Sequence, residues 1–343
     1  MFCNLWHIKQ TNGLFYYALD YISEVNPRML VLVRPALFNA TRKALPNNVV
    51  QIVDVTQLVS KLILAAIRGE WVFTPTAHPF PFLHRQLVVI HDDYPFINKN
   101  GHIKRQIFRS LLAISRCQIG HINHSSALGA IPKDIVPSER IWYIPNRGPS
   151  DEQISSLYGR RQANRRIPGH PITVALFGTD TRKKRYECLF SEIRRTNISS
   201  NFVFRIYGHN TDYYRELKRE YSDLAIELSD SSCIGLEIFL ANVDCVASVA
   251  AHEGFGRPIA LALGAGVPCF LIQSDPFEEF FGQSLRLHEN VDKLVDALLN
   301  FYGNDEPVVK LGNFSELFQI RAAFNAAVNR LSCIAADDER ILK

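Results

Sequence analysis

Val243 to Phe270 reads VDCVASVAAHEGFGRPIALALGAGVPCF, and its interpretation decides the fold. The apolar run Val243 to Val249 predicts a buried strand of a parallel sheet. A polar turn with two glycines, His252-Glu253-Gly254-Phe255-Gly256, comes next. Pro258 then stands where a helix begins, a position that suits its missing N–H and its fixed φ. The pattern predicts a helix over Ile259 to Leu263, a stop near Gly264-Ala265-Gly266, and another strand over Val267 to Ile272. Strand, glycine turn and helix N-terminus aim backbone N–H groups and the positive end of a helix dipole at one place. Such a place favours an anion, a phosphate above all.

A phosphate would repel Glu253, so the carboxylate is better matched to neutral hydroxyls beside it. Phosphate flanked by hydroxyls describes a nucleotide-sugar. At this point the sequence resembles a family. Glu253-Gly254-Phe255-Gly256-Arg257-Pro258, followed by Gly266-Val267-Pro268, is similar to the EGFGxP…GVP signature of retaining GT-B glycosyltransferases of family four. One departure stands out: the family's second glutamate, which holds the ribose, falls on Leu261 here. The resemblance implies two Rossmann-like, doubly wound parallel-sheet α/β domains facing a cleft (GT-B). It also implies a nucleotide-diphosphate sugar as donor substrate, a glycan or lipid-linked saccharide acceptor, and neither metal nor cofactor. Glu253 would orient sugar hydroxyls, and Gly254, Phe255, Gly256, Arg257 and Pro258 would form the donor-binding turn.

Upstream, Ile172 to Phe177 predicts the first strand of the same domain, leading into Gly178-Thr179-Asp180-Thr181-Arg182-Lys183-Lys184-Arg185. Cations just after a strand neutralise a diphosphate, and arginine's fork matches phosphate oxygens. The family's arginine after the glycine is Thr179 here, so Arg182 and Lys183 are the nearest matches, with Gly178 as the turn. Asn201 to Tyr207 followed by Gly208-His209 resembles the family's strand-G-x-G near the base, without its second glycine. Ser274 to Gly282 reads as a polar turn. Val291 to Tyr302 and Phe314 to Leu331 read as amphipathic helices.

The 343 residues fit two domains, and 47% hydrophobic with 21% charged residues supports sizeable cores. The expected division is 1–148, a linker at 149–170 lacking apolar periodicity, 171–313, and a C-terminal helix within 314–343 that packs back on the first domain. Seven cysteines without a CxxC pair point to buried thiols in a reducing cytosol. No apolar run approaches the length of a membrane span, and the N-terminus lacks the pattern of a secretory signal. No internal repeat is visible.

Charge divides unevenly. Residues 1–150 hold 16 Lys and Arg against 8 Asp and Glu, and the rest of the chain 22 against 26. Within the basic half, Phe2 to Ile8 predicts a strand, Lys9 to Gly13 a turn and Leu14 to Ile22 a helix. By resemblance, Gly13 lets a donor phosphate or an acceptor approach the backbone. Leu87 to Ile90 predicts a buried strand that ends in His91-Asp92-Asp93. Function gathers at strand ends of this kind, and the resemblance makes His91 a contact to the donor sugar. The stretch 98–117 carries Lys99, Lys104, Arg105, Arg109 and Arg116 and no acid, with Ile103, Ile107, Phe108, Leu111 and Leu112 at helical spacing. Two readings stay open for it: a peripheral contact with an anionic membrane on the inner face of the plasma membrane, or packing on the sheet. Ser125 or Ser126 is expected to cap the short helix Ala127–Ala130.

Three rival classes stand beside this resemblance. A degenerate GT-B protein would bind a sugar or a partner transferase without turnover. A nicotinamide-dependent enzyme is disfavoured, since no GxGxxG follows a strand. No recognisable motif supports nucleic-acid binding. The family-level expectation is surface-polysaccharide assembly.

Overall fold

The computed structural model describes residues 1–25, 29–97, 100–163, 170–179, 181–196, 199–250, 252–303 and 314–341. The chain divides into two compact units, Met1–Arg147 with Gln319–Lys343, and Gly148–Phe318.

The first unit contains strands β1 (Phe2–Asn4), β2 (Leu30–Val33), β3 (Val49–Ile52), β4 (Val72–Thr74), β5 (Gln86–Ile90), β6 (Gln118–His121) and β7 (Ile141–Tyr143). They pair in parallel in the order β3-β2-β1-β4-β5-β6-β7. Parallel neighbours need crossover connections. These contain α1 (Gly13–Val25), α2 (Phe38–Ala44), α3 (Val55–Arg68), α4 (Tyr94–Ile97), α5 (Gly101–Ser115) and α6 (Ser126–Gly129). Apolar clusters line both faces of the sheet, so β5 is buried along its whole length. On α1, Tyr17 and Tyr21 bury their rings and spend their hydroxyls on the carbonyls of Ile144 and Pro145, at 3.0 and 2.7 Å.

The second unit opens with α7 (Asp151–Ala163). It continues through β8 (Ile172–Phe177), α8 (Tyr186–Arg195), β9 (Phe202–Gly208), α9 (Asp212–Glu220), β10 (Ala225–Asp230) and α10 (Leu236–Ala241). Then come β11 (Cys245–Ser248), α11 (Arg257–Gly264), β12 (Cys269–Leu271), α12 (Asp275–Phe281) and α13 (Val291–Gly303). The five strands are parallel in the order β10-β9-β8-β11-β12. A last helix, α14 (Leu317–Ile341), places Phe324 against Tyr21 of α1, centroids 4.8 Å apart, and Arg330 over the Trp142 ring.

Three elements differ from the sequence reading. Where 149–170 reads as a linker, 151–163 form α7; Arg165 and Arg166 lie outside the described residues. Ser150 and Gln153 make a reciprocal capping box at its start. Ile154 and Leu157 are buried, and the Arg161 guanidinium donates to the carbonyls of Leu240 and Val243. Where 274–282 reads as a polar turn, α12 buries Phe277, Phe280 and Phe281 on one face. The cap of α6 is neither Ser125 nor Ser126: the Asn123 side-chain oxygen accepts from the Ala127 amide at 2.7 Å.

Strand order reverses between β1 and β4 in one sheet and between β8 and β11 in the other. In open α/β sheets ligands bind beyond the carboxyl ends of the strands at such points. A packed α7 has a measurable consequence. Leu157→Ala should lower stability by about 2–5 kcal/mol in urea unfolding, whereas a linker would tolerate the change at no cost.

Candidate active site

In the second unit the reversal point lies between Gly178, just past β8, and the turn that follows β11. Gly256 caps α11 with φ +78°, a left-handed conformation that favours glycine, and Pro258 occupies the second helical position. The preceding residue, Phe255, is not turned toward a ligand. Its buried ring packs edge-on against Phe280 at 4.8 Å and beside Phe281, so it anchors the turn to α12. An aromatic so enclosed holds the loop through its ring, and the expected part of Phe255 in the donor-binding turn falls to its backbone. Gly254 is buried beside it, and Arg257 is the first residue of α11.

Glu253 carries the chemistry of this turn. Its carboxylate accepts from Lys184 Nζ at 2.7 Å, and each side chain keeps 17% of its surface exposed. Burial opposes the charge on Glu253, but the charges of Lys184 and Lys183 and the Lys184 hydrogen bond outweigh it. The carboxyl is therefore held below the usual glutamate value of 4.5. The pair lines a small pocket with Phe177, Tyr186, Ser248, Gly256 and Pro258.

Lys184 passes close over Gly178 on its way to Glu253. A Cβ on Gly178 would sit 3.0 Å from Lys184 Cε, and its φ of +86° suits glycine as well. The Tyr186 hydroxyl, 2.7 Å from the Phe177 carbonyl and 3.0 Å from that of Gly178, fixes the crossing from above. Of the three cations at 182–184, the sequence reading selects Arg182 and Lys183. The structure turns Arg182 away: 64% exposed, it bonds Glu187 and Glu216 and lies over the Tyr213 ring. Lys183 acts on Glu253 through its charge. Lys184, missed in one dimension, makes the contact. Consecutive cations on a tight turn point in different directions, and spacing alone does not rank them.

Thr179, where the resemblance expects arginine, is a buried staple. Its hydroxyl donates to the His209 carbonyl at 2.8 Å and accepts from the His209 amide at 3.0 Å. Gly208 leaves room for it, since a Cβ there would lie 2.8 Å from Thr179 Oγ1. Gly208 thus serves the join between the ends of β8 and β9.

In the first unit, Gly13 begins α1, and a Cβ on it would meet nothing within 4 Å. Packing does not require glycine there. His91 follows β5; its Nε2 lies 3.0 Å from the Pro75 carbonyl, which only accepts, so Nε2 carries the proton. Its ring stands edge-on to Tyr17 at 4.5 Å, one helical turn beyond Gly13. Asp92 accepts from the amide of Tyr94, the first residue of α4. Among the described residues no group of three His, Cys, Asp or Glu side chains is placed to hold a metal ion.

No family model and no curated protein matches the chain in sequence. Solved structures match it closely in shape. HepE from Anabaena, crystallised with UDP and glucose, is 15% identical, with 98% of each chain covered and a TM-score of 0.68. WaaG, a glycosyltransferase involved in lipopolysaccharide biosynthesis, is 13% identical over 98% of each chain, TM-score 0.67. Sucrose-phosphate synthase from Thermosynechococcus elongatus is 12% identical over 98% of each chain, TM-score 0.69. The likeness establishes the fold, which is GT-B.

Removing Lys184 should invert the titration of Glu253. In Lys184→Met burial dominates, so Glu253 should titrate above its ordinary value rather than below it. The ion pair's contribution in the wild type is present above the unfolded glutamate value and is lost as pH falls through the depressed folded one. The Tm gap between wild type and Lys184→Met should therefore be widest near neutrality and narrow below about pH 4.5. A gap independent of pH would separate the lysine from the carboxylate. Gly178→Ala should reproduce part of the loss by displacing the lysine.

Proposed function

We propose that the chain is a retaining hexosyltransferase. It moves a hexose from a nucleotide-diphosphate sugar, a UDP-sugar first among them, to a hydroxyl of a glycan or lipid-linked acceptor. The observation that carries this reading is the Lys184–Glu253 pair beside the N-terminus of α11, at the point where strand order reverses. UDP and glucose in HepE support the choice of donor.

In this reading the bond from the anomeric carbon to the diphosphate oxygen breaks, and its electron pair leaves with the nucleoside diphosphate. The acceptor oxygen forms the new bond on the same face, and its proton passes to the departing phosphate. Charge builds on the leaving group, so the largest help comes from donors already aimed at it. Lys184, Lys183 and the first amides of α11 meet that description. Glu253, kept ionised by Lys184, accepts from sugar hydroxyls, and His91 contacts the sugar. Gly13 gives the donor phosphate or the acceptor access to the backbone. The cations do the work of neutralising the diphosphate, and the reading asks for no metal or cofactor. The setting is surface-polysaccharide assembly, such as lipopolysaccharide, on the cytoplasmic side of the membrane. No described helix is long and apolar enough to cross a membrane.

Leu261 favours a second reading. It is buried in α11 at the place where the family pattern has its ribose-holding carboxylate. A chain without that contact would bind a sugar, or a partner transferase, and not turn over. Purified protein titrated with UDP-, GDP- and dTDP-sugars and an acceptor extract separates the two. Transfer predicts nucleotide release with one donor, and Glu253→Ala should lower it about 10²–10³-fold when assayed below the reduced Tm of a variant that leaves Lys184 without its carboxylate. Binding without release from any donor would select the second reading.

A further inference from the structure

Most described cations of the first unit are exposed. On α5, Phe108 and Leu112 are buried in the core and Arg109 is paired with Asp134; residues 98–99 of that basic stretch lie outside the described residues. Arg34 is placed differently. It follows β2 directly, half-buried, with its guanidinium 3.8 Å over the Trp6 ring. Its Nε donates to the Trp6 carbonyl at 2.5 Å, and Trp6 Nε1 donates in turn to the Val53 carbonyl at 3.1 Å. The segments leaving β1, β2 and β3 are tied together, and the guanidinium is fixed in place.

The peptide that accepts from Arg34 leads into His7. The His7 ring stands edge-on to Trp6 at 5.3 Å and lies flat on His78, centroids 3.9 Å apart and planes 5° from parallel. His7 is half-buried, and His78, in the loop after β4, is exposed. Burial, then the charges of His78 and Arg34, push the His7 imidazole down to about 3; among the described residues no acid acts on it. Among the described residues, too, nothing accepts from the terminal nitrogens of Arg34, and nothing bonds the ring nitrogens of His7 or His78. In the same loop Thr76 is only 6% exposed, and its Oγ1 is likewise without a partner there.

A guanidinium and two neutral imidazoles that present open N–H groups and face no carboxylate are suited to an anion. Their donors outnumber the two oxygens of a carboxylate and match the three outer oxygens of a phosphate monoester, with the guanidinium fork taking two of them. The cluster stands beyond the carboxyl ends of β1 and β4, the neighbours between which strand order reverses, where open α/β sheets bind ligands. His91 shares that edge, its Nε2 on the Pro75 carbonyl three residues before His78.

We propose that Arg34, His7 and His78 bind the phosphate of a phosphorylated saccharide, and that this sugar is the acceptor of the transfer. The assignment as acceptor rests on the transferase reading; the phosphate site does not.

The test is calorimetry on the full chain without donor, with glucose, glucose 1-phosphate, glucose 6-phosphate and inorganic phosphate as probes. At least one ester should bind about ten-fold or more tighter than glucose, and tighter than inorganic phosphate. Arg34→Gln and His78→Asn should each weaken that ester about ten-fold or more and leave UDP affinity unchanged. His78 is exposed, so His78→Asn carries the test at a wild-type melting curve even where Arg34→Gln, which gives up a tie to Trp6, lowers Tm. Esters bound no better than glucose, inorganic phosphate bound as tightly as the esters, or variants that bind the esters like the wild type would overturn the proposal. An equal loss of UDP would assign the cluster to the donor and overturn it as well. Ester binding through these residues in a chain that releases no nucleotide would support the site and count against the transferase reading alone.

Discussion

The ion pair between Lys184 and Glu253 is the constraint around which the second unit is arranged. A carboxylate and an ammonium that are each largely withdrawn from water cost several kcal/mol to desolvate, and the attraction repays this only in good geometry. Here the geometry comes from the sheet. β11 pairs with β8 so that Ala175 lies opposite Val246, and two residues further each strand ends, at Phe177 and Ser248. Lys184 returns over Gly178 from one strand end, and Glu253 hangs from the turn after the other. Gly178, which Lys184 crosses closely, Phe255, seated on α12, and Tyr186, bonded at the strand end, hold the two turns that carry the pair. The aromatic anchors and the glycines are therefore part of the electrostatics.

Much of this was legible in one dimension, because the signals were local. The runs of β2 and β8 are almost wholly apolar, as strands covered on both faces must be. Gly256 and Pro258 announce the start of α11 in their own backbone preferences. What stayed hidden depended on partners distant in sequence. In α7 only two residues, Ile154 and Leu157, are buried, so its apolar period is faint, and the capping pair Ser150 and Gln153 was the one local mark of it. In α12 the acids Asp275, Glu278 and Glu279 mask the spacing of Phe277, Phe280 and Phe281. Phe255 sits inside a motif, and that its ring seats the turn on α12 shows only once its neighbours are known. The choice of Lys184 over Arg182 depends on side-chain direction after a tight turn and on Glu187 and Glu216, which draw the arginine to the surface.

The two departures from the family pattern have different physical weight. Thr179 costs the site an arginine and gives the sheet a join: buried and bonded to both backbone groups of His209, it leaves no room for a longer side chain, and the cation comes from Lys184 instead. Leu261 is buried within α11. Its effect is on charge balance. The charges of Lys183 and Lys184 both act on Glu253, and on the proposed reading a second carboxylate in α11 would have offset them. On that reading a diphosphate gains from these cations, and the ribose beside it meets the apolar Leu261 instead of an acceptor. On the proposed reading, recognition of the donor then rests on its phosphates and its sugar, the two parts that the leaving-group chemistry uses, and least on the ribose that joins them to the base.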